Sequence, residues 1–473
     1  MLSRFKNILR AAAGHSTYEA TNFSRRRSDV PGPRPQDNRS ELTQYARGEL
    51  VRKSRYLSKN SGFWKEIGDC FKLYGVGPGL GAQSLAVDKD WRNEAERQWR
   101  IFCARPEITS RFTMAESQLI SSACLTEDGE FFAIKTRDQF DRPKVQFIES
   151  HRLVDAGEND SIDGIVYDSL GRVVLYRFLQ DDGTIKEVRA GAVMHVHAVS
   201  RFTSARYAPP MQHSILDLLD FREILALEKH AVKQSADVIH KYKTKAGNLQ
   251  GNGDFSIDGA TQMQSKDAAY YQAIIGGKVI GMDPNEDLES FESKRPNNAF
   301  TGFLEAIMRD ASGGVLPYEF STDPTKAGGA VVRLIVAKAQ RTFEAHQRVL
   351  IERLLNPLWG YFIAKQINLG DLEPVKGWNL VEWTTPKSIS VDAGRDEQQT
   401  RNNLETGLIT WADYWAEQGK DEDSQIRKRT EGARKIMTAA GYKESEPIPL
   451  WMIYRPTNAP IQPLGNDETT TNP

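Results

Sequence analysis

Cysteine is scarce: Cys70, Cys103 and Cys124 are the only three in 473 residues. Thiols so few and so scattered exclude a disulfide framework and a thiolate zinc site. No apolar run reaches the ~18 residues of a membrane span. The stretch MLSRFKNILRAAAGHS at the start has no continuous apolar segment, so it is not read as a secretory signal, and a reducing intracellular setting is the expectation. Excess charge of one sign is lacking as well. With 62 Lys/Arg against 63 Asp/Glu the net charge is −1, which argues against a general polyanion binder. HExxH, GxSxG and CxxC patterns are missing, and no nucleophile stands beside a base. Catalysis therefore has no support. Internal repeats are also absent.

What is present suffices for two or three domains: 39% hydrophobic residues with 9% aromatics build cores, while a mean hydropathy of −0.53 leaves much surface wet. The near-zero charge hides an asymmetry. Residues 1–60 carry 13 Lys/Arg and 5 Asp/Glu, so the remainder is acidic by about the same margin. Residues 1–40, with Arg25-Arg26-Arg27 and VPGPRPQDN, read as a flexible basic arm, or as one that folds on a partner or nucleic acid.

Periodicity predicts helices over 40–60, 62–73 and 90–104, the last with Trp91, Ala95, Trp99 and Phe102 on one face, and a helical stretch over 119–125. The period then switches to two. Strands are expected over 130–135, 144–148, 164–167, 173–178 and 193–197, separated by turns such as Asp128-Gly129 and Asp181-Asp182-Gly183. Residues 40–200 thus form an α+β domain. A long helix is expected over 212–242. Its seam of Leu218, Leu225, Val232 and Ile239 is interrupted by Glu228 and Ser235, which suits packing against neighbouring subunits. Residues 243–297 are glycine-rich with a strand over 276–282, and 300–309 is helical.

Between Gly313 and Ile363 two glycine pairs and two prolines precede a helix whose buried face is Val332, Ile335, Ala339, Phe343, His346, Leu350 and Leu354. This reads as a hinged loop on a strut of about 37 Å, ending at a tryptophan-bearing hydrophobic stop. A strand over 378–383, polar helices over 396–404 and 411–440, and a Pro/Asn/Thr tail from 445 complete the chain.

Few constellations point to chemistry. YGVGPGLG at 74–81 lacks the Lys-Ser/Thr of a phosphate loop and follows a helix, so it is read as a structural turn. His195 and His197 share a strand face as two metal ligands would, but a third ligand is missing and structural histidines are favoured. Asp283, Glu286, Asp287, Glu289 and Glu292 could bind a metal or repel a polyanion; a solvated loop or interface is the plainer account. Trp411 and Trp415 read as helix-packing residues. Lys326 and Arg333, beside the glycine-hinged loop, are surface residues or weak, salt-dependent phosphate contacts.

Taken in order, these segments resemble the lambda-like portal proteins of tailed bacteriophages over about residues 41–420. The resemblance is carried by Arg47-Gly48-Glu49-Leu50-Val51-Arg52, Val76-Gly77-Pro78-Gly79-Leu80, Trp99, Asp128-Gly129-Glu130-Phe131 and Val145-Gln146-Phe147-Ile148-Glu149 with Arg152-Leu153. Gly164-Ile165, Gly171-Arg172, Tyr176-Arg177-Phe178 and Met194-His195-Val196 continue it. Leu316-Pro317-Tyr318-Glu319 with Ser321 and Asp323, Asn356-Pro357-Leu358-Trp359, Trp383, Pro386, Val391-Asp392 and Gly407-Leu408-Ile409-Thr410 follow. The family's Arg-Gly-x-Pro reads Ala205-Arg206-Tyr207-Ala208-Pro209 here, and its Ser-Ser-x-Arg reads Gly328-Gly329-Ala330-Val331-Val332-Arg333.

The resemblance implies a portal fold assembled as a dodecameric ring: arm 1–40, α/β wing 41–210, stem helix 211–242, small α/β clip 243–297, second stem helix 298–312 and tunnel loop 313–330. Long helix and wing return 331–393, helical crown 394–441 and tail 442–473 follow. It implies no catalysis and no cofactor or metal, but a channel at one capsid vertex through which terminase packages DNA and through which DNA leaves. Tyr318, Glu319, Asp323, Lys326 and Arg333 would face the channel. Lys278, Asp283, Glu286, Asp287 and Glu289 would meet adaptor or terminase. Implied partners are double-stranded DNA, the terminase large subunit, major capsid and scaffolding protein and a head-completion adaptor, with no membrane, first in the host cytoplasm and then in the virion. A metal-dependent nucleic-acid-processing enzyme using the 283–292 carboxylates and a non-viral scaffolding protein are the competing readings.

Overall fold

In the structure, a computed structural model, one core is built from two stretches of chain far apart in sequence. The residues described are 36–155, 161–198, 200–237, 240–243, 271–274, 277–282, 300–322, 328–391, 393–418, 420, 422–443 and 446–449. After a four-residue turn α1 (Asn38–Glu41), helix α2 (Gln44–Asn60) starts where Thr43 caps the Ala46 N–H, and α3 (Gly62–Cys70) where Ser61 caps that of Trp64. Helix α4 (Lys89–Ala104) buries the four predicted residues, Trp91, Ala95, Trp99 and Phe102. Helix α5 (Met114–Glu127) begins earlier than its apolar pattern suggests, because Thr113 and Glu116 form a reciprocal capping box.

Strand β1 (Gly81–Ser84) was not expected. Behind α5, β2 (Glu130–Arg137) is the centre of an antiparallel sheet flanked by β3 (Pro143–Glu149) and β8 (Val193–His197), with Phe132 opposite both Ile148 and His195. A second antiparallel sheet holds β4 (Ser161–Ile162), β5 (Ile165–Tyr167), β6 (Val173–Leu179) and β7 (Ile185–Arg189), of which β7 was also missed. Its residues are mostly exposed, so it lacks the apolar alternation that reveals a strand.

The later stretch closes this core. Helix α9 (Gly329–Leu350) passes through a π-helical turn, Ile351–Leu355, into α10 (Asn356–Leu369). Pro357 has no N–H, and its ring crowds the carbonyl one turn back, so the ladder is displaced rather than broken. Trp359 is therefore no stop: it lies fully buried inside a helix that ends at Gly370, φ 81°. The Trp99 ring meets those of Trp359, Phe362 and Trp383 at 5.3, 5.2 and 6.0 Å. Strand β12 (Val381–Thr384) pairs antiparallel with β1, fixing the two stretches in one ladder.

Helix α6 (Ile215–Asp237) packs on α7 (Phe300–Ala311). Burial fades along its seam: Leu218 is fully buried, Leu225 partly, and Val232 is 52% exposed, while Ile239 lies outside the described residues. The helix expected to reach Tyr242 does not. Residues His240–Lys243 are strand β9, parallel to β11 (Gly277–Met282), which also pairs with β10 (Tyr271–Ile274). A strand partner distant in sequence overrides local helical spacing there. The expected helix over 411–440 is two, α12 (Trp411–Glu417) and α13 (Glu422–Ala439), with Gly419 between them, preceded by α11 (Ala393–Glu405). The helix expected over 62–73 continues past Cys70 as a π-helix, Phe71–Val76. Among the described residues no helix is long and apolar enough to cross a membrane.

Candidate functional site

Two sites emerge, one around the loop before α9 and one that sequence reasoning left undescribed. In the first, a single helical turn, α8 (Tyr318–Ser321), forms between the glycine pairs. Pro317 precedes it, and the Ser321 and Thr322 hydroxyls donate to the Tyr318 carbonyl. Leu316 is buried beside Phe71, Phe343 and Met211, and the Phe320 ring meets Tyr74 at 5.5 Å and Phe343 at 5.7 Å. This end of the loop is thus anchored to the body. Glu319 accepts from Arg309 of α7 at 3.2 Å, and the same guanidinium lies 5.3 Å from the Tyr318 ring centre. Arg309, which sequence reasoning did not single out, ties two of the predicted residues back to α7. Arg333 is exposed on the second turn of α9. Asp323 and Lys326 lie outside the described residues, as do Asp283, Glu286, Asp287 and Glu289; Lys278 lies in β11 opposite Ala273.

The second site is a buried joint of charges where the first sheet, α2 and the segment leading to α6 meet. Arg206 is 1% exposed and each guanidinium nitrogen has a partner: Nε donates to Glu130 Oε1 at 2.6 Å, Nη1 to the Asp163 carbonyl at 2.8 Å and Nη2 to the Ser150 carbonyl at 2.7 Å. Arg47 of α2 grips both Asp163 carboxylate oxygens, at 2.7 and 3.1 Å. The other Glu130 oxygen accepts from His195 at 2.8 Å and from the Tyr207 N–H at 3.2 Å. Burial alone would raise the Glu130 pKa, but Arg206 and His195 outweigh it and hold the carboxyl down to about 2. Nearby, Arg55 bridges Asp128, which also accepts from the Ser150 hydroxyl.

The backbone is shaped to this joint. Asp163 and Gly164 turn at φ 48° and 85° to deliver the Asp163 carboxylate. At Gly129, φ 85°, a Cβ would sit 2.1 Å from the Ala208 carbonyl oxygen. His195 and His197 have protein partners: one bonds Glu130, and the other accepts from Arg353 at 2.9 Å. Among the described residues no His/Cys/Asp/Glu group has a metal-holding arrangement. Arg47, Asp128-Gly129-Glu130, Gly164 and His195, which stand apart in the sequence, converge here.

The family model described as phage portal protein, lambda family, matches residues 24–347. The chain belongs to that family. Its function is that of a phage-type portal, the connector of a capsid to its tail. Among solved structures, a chain from the neck of an empty gene transfer agent particle, computed with C6 symmetry, matches 79% of this portal and 93% of its own length at 16% identity and a TM-score of 0.42. A chain from the neck of the native particle, computed with C12 symmetry, covers 80% and 94% at 15% identity and TM-score 0.42. A chain of the native virion covers 87% and 98% at 16% identity and TM-score 0.38. The buried joint is therefore part of the portal scaffold: the family match spans Arg47, Glu130, Asp163 and Arg206 together.

Proposed function

We propose that this portal closes a dodecameric ring around an axial channel at one capsid vertex and passes double-stranded DNA without reading its sequence. The observation that carries this is the family match over residues 24–347. The near-neutral charge agrees with it, since a channel that bound phosphates tightly would stall its cargo. Residues 41–210 with 331–393 form the wing, 211–242 and 298–312 the stem, 243–297 the clip, 313–330 the tunnel loop and 394–441 the crown. The terminase large subunit and, later, the head-completion adaptor dock at the clip through Lys278 and the acidic residues Asp283, Glu286, Asp287 and Glu289. Major capsid and scaffolding proteins surround the ring, which assembles in the host cytoplasm and ends in the virion. The portal is a conduit and a platform rather than an enzyme.

Asp323 and Lys326 in the tunnel loop and Arg333 at the start of α9 approach DNA, while Tyr318 and Glu319 hold the loop to α7 through Arg309. Negative-stain microscopy of the purified protein with scaffold tests the assembly: rings are expected, and a persistent monomer overturns the reading. Lys326→Ala should leave rings intact and reduce DNA packaging or retention. Normal packaging by that variant removes Lys326 from the mechanism.

A further inference from the structure

The imidazole of His197, at the end of β8, has its protonation state fixed by its neighbours. Its Nδ1 lies 2.9 Å from the Ala198 carbonyl oxygen, which only accepts, so Nδ1 carries the hydrogen. Its Nε2 lies 2.9 Å from Arg353 Nη1, which only donates, so Nε2 presents a lone pair. Tyr207 stacks on the ring at 3.6 Å and 13°. This neutral tautomer has no place for a second proton without setting an imidazolium against a guanidinium.

Three elements meet at that ring. Arg353 belongs to the π-turn between α9 and α10, Tyr207 to the segment that feeds α6, and His197 to the sheet. The charged and titratable groups around it are His195 on β8, ring centres 4.7 Å apart, Glu130 on β2, Arg206 and Tyr207 on the crossing segment, and Arg353. Glu130 favours the imidazolium, but burial, His195 and Arg353 together outweigh it, and its oxygens are already engaged by Arg206, His195 and the Tyr207 N–H. Among the described residues Arg353 forms no ion pair with a carboxylate.

We propose that His197 is a proton-operated latch: neutral, it ties the α9–α10 joint and the approach to α6 to the sheet, and protonated, it repels Arg353 and releases both. The direction follows from linkage. Burial, then His195 and Arg353, push the His197 pKa down to about 3, against 6.5 for the exposed ring. The latch is fully engaged above pH 6.5, and its contribution is lost as pH falls from 6.5 toward 3. At pH 5 an opening that exposes the ring gains about 30-fold, since the free imidazole is by then almost wholly protonated.

Hydrogen–deuterium exchange of the full chain, corrected for the intrinsic pH dependence of exchange, tests this at pH 7 and pH 5. Peptides covering 345–358 and 203–217 should lose protection by about 30-fold, with smaller changes over β2. His197→Gln keeps an acceptor for Arg353 and a donor for Ala198 but does not titrate, so it should remove that response while leaving exchange at pH 7 unchanged. An undiminished acid response in His197→Gln overturns the latch, as does a flat wild-type profile. So does a response that disappears in His346→Asn instead, because His346 is a second buried histidine, pushed down to about 4 by burial, on α9. Should His197→Gln prove unfolded, Arg353→Met supplies the test: without the cation the acid response should shrink, and an unchanged one rejects the proposal.

Discussion

The buried joint and the pair of helices α6 and α7 solve opposite problems. Around Arg206, polar groups sealed from water find partners within the same chain: Glu130, Asp163 and Arg47 are all paired at or below 7% side-chain exposure. Along α6, α7 and the start of α9, by contrast, Leu216, Leu227, Val232, Phe303, Val331 and Leu334 are all more than half exposed. Unpaired charge inside a core costs several kcal/mol, so the first region must be completed by the fold itself. Exposed apolar area loses only about 25 cal/mol per Å², which a single chain tolerates and neighbours can recover. The difference teaches that one region is completed within the chain, and that the other leaves apolar area the single chain does not cover.

The sharpest way to break that comparison is at Arg206. Arg206→Ala strands Glu130 and two carbonyls in a sealed pocket and should lower stability by about 3–5 kcal/mol in urea unfolding. A loss under 1 kcal/mol would show that the joint is not what holds the crossing segment. Next comes Gly129→Ala. It combines a left-handed φ with a clash against the Ala208 carbonyl, so a loss of about 2 kcal/mol or more is expected by the same assay. The smallest effect on the single chain should come from Leu227→Asp on α6, within about 0.5 kcal/mol. Its effect should instead fall on assembly, with ring yield in sedimentation velocity reduced about tenfold if α6 meets neighbouring copies. Were Leu227→Asp to unfold the chain as Arg206→Ala does, the two regions would not differ in kind.

Much of the fold was legible. Alternation marked β3, and three- and four-residue spacing marked α4 and α9, because each buries one face against a core, while β2, buried on both faces, and β6 and β8 were marked by short runs of apolar, β-branched and aromatic residues. Strands β1 and β7 were not, since β1 is short and glycine-led and β7 is mostly exposed. The end of α6 was overrun because β9 is defined by a partner nearly 40 residues away in sequence. Of the residues assigned to the loop, Tyr318 and Glu319 meet at Arg309, a contact no spacing rule connects. The joint was half visible: Arg47, Glu130 and His195 sat in motifs that carry the resemblance and Arg206 in a departure from them, but Asp163 in neither, and motifs give order and not proximity.

The sequence by itself determined the α+β class, the positions of the principal helices and the family, since apolar periodicity, capping residues and motif order are local or linear properties. Only the tertiary structure decided that residues 76–147 and 350–383 share one core, and that Arg206 closes a charge network with residues drawn from α2, β2 and the Asp163 turn. The same holds for His197, whose neutral tautomer depends on Arg353, 156 positions later. The physical reason is that desolvation makes a buried charge seek whichever partner the fold brings within 3 Å, and sequence distance does not enter that energy.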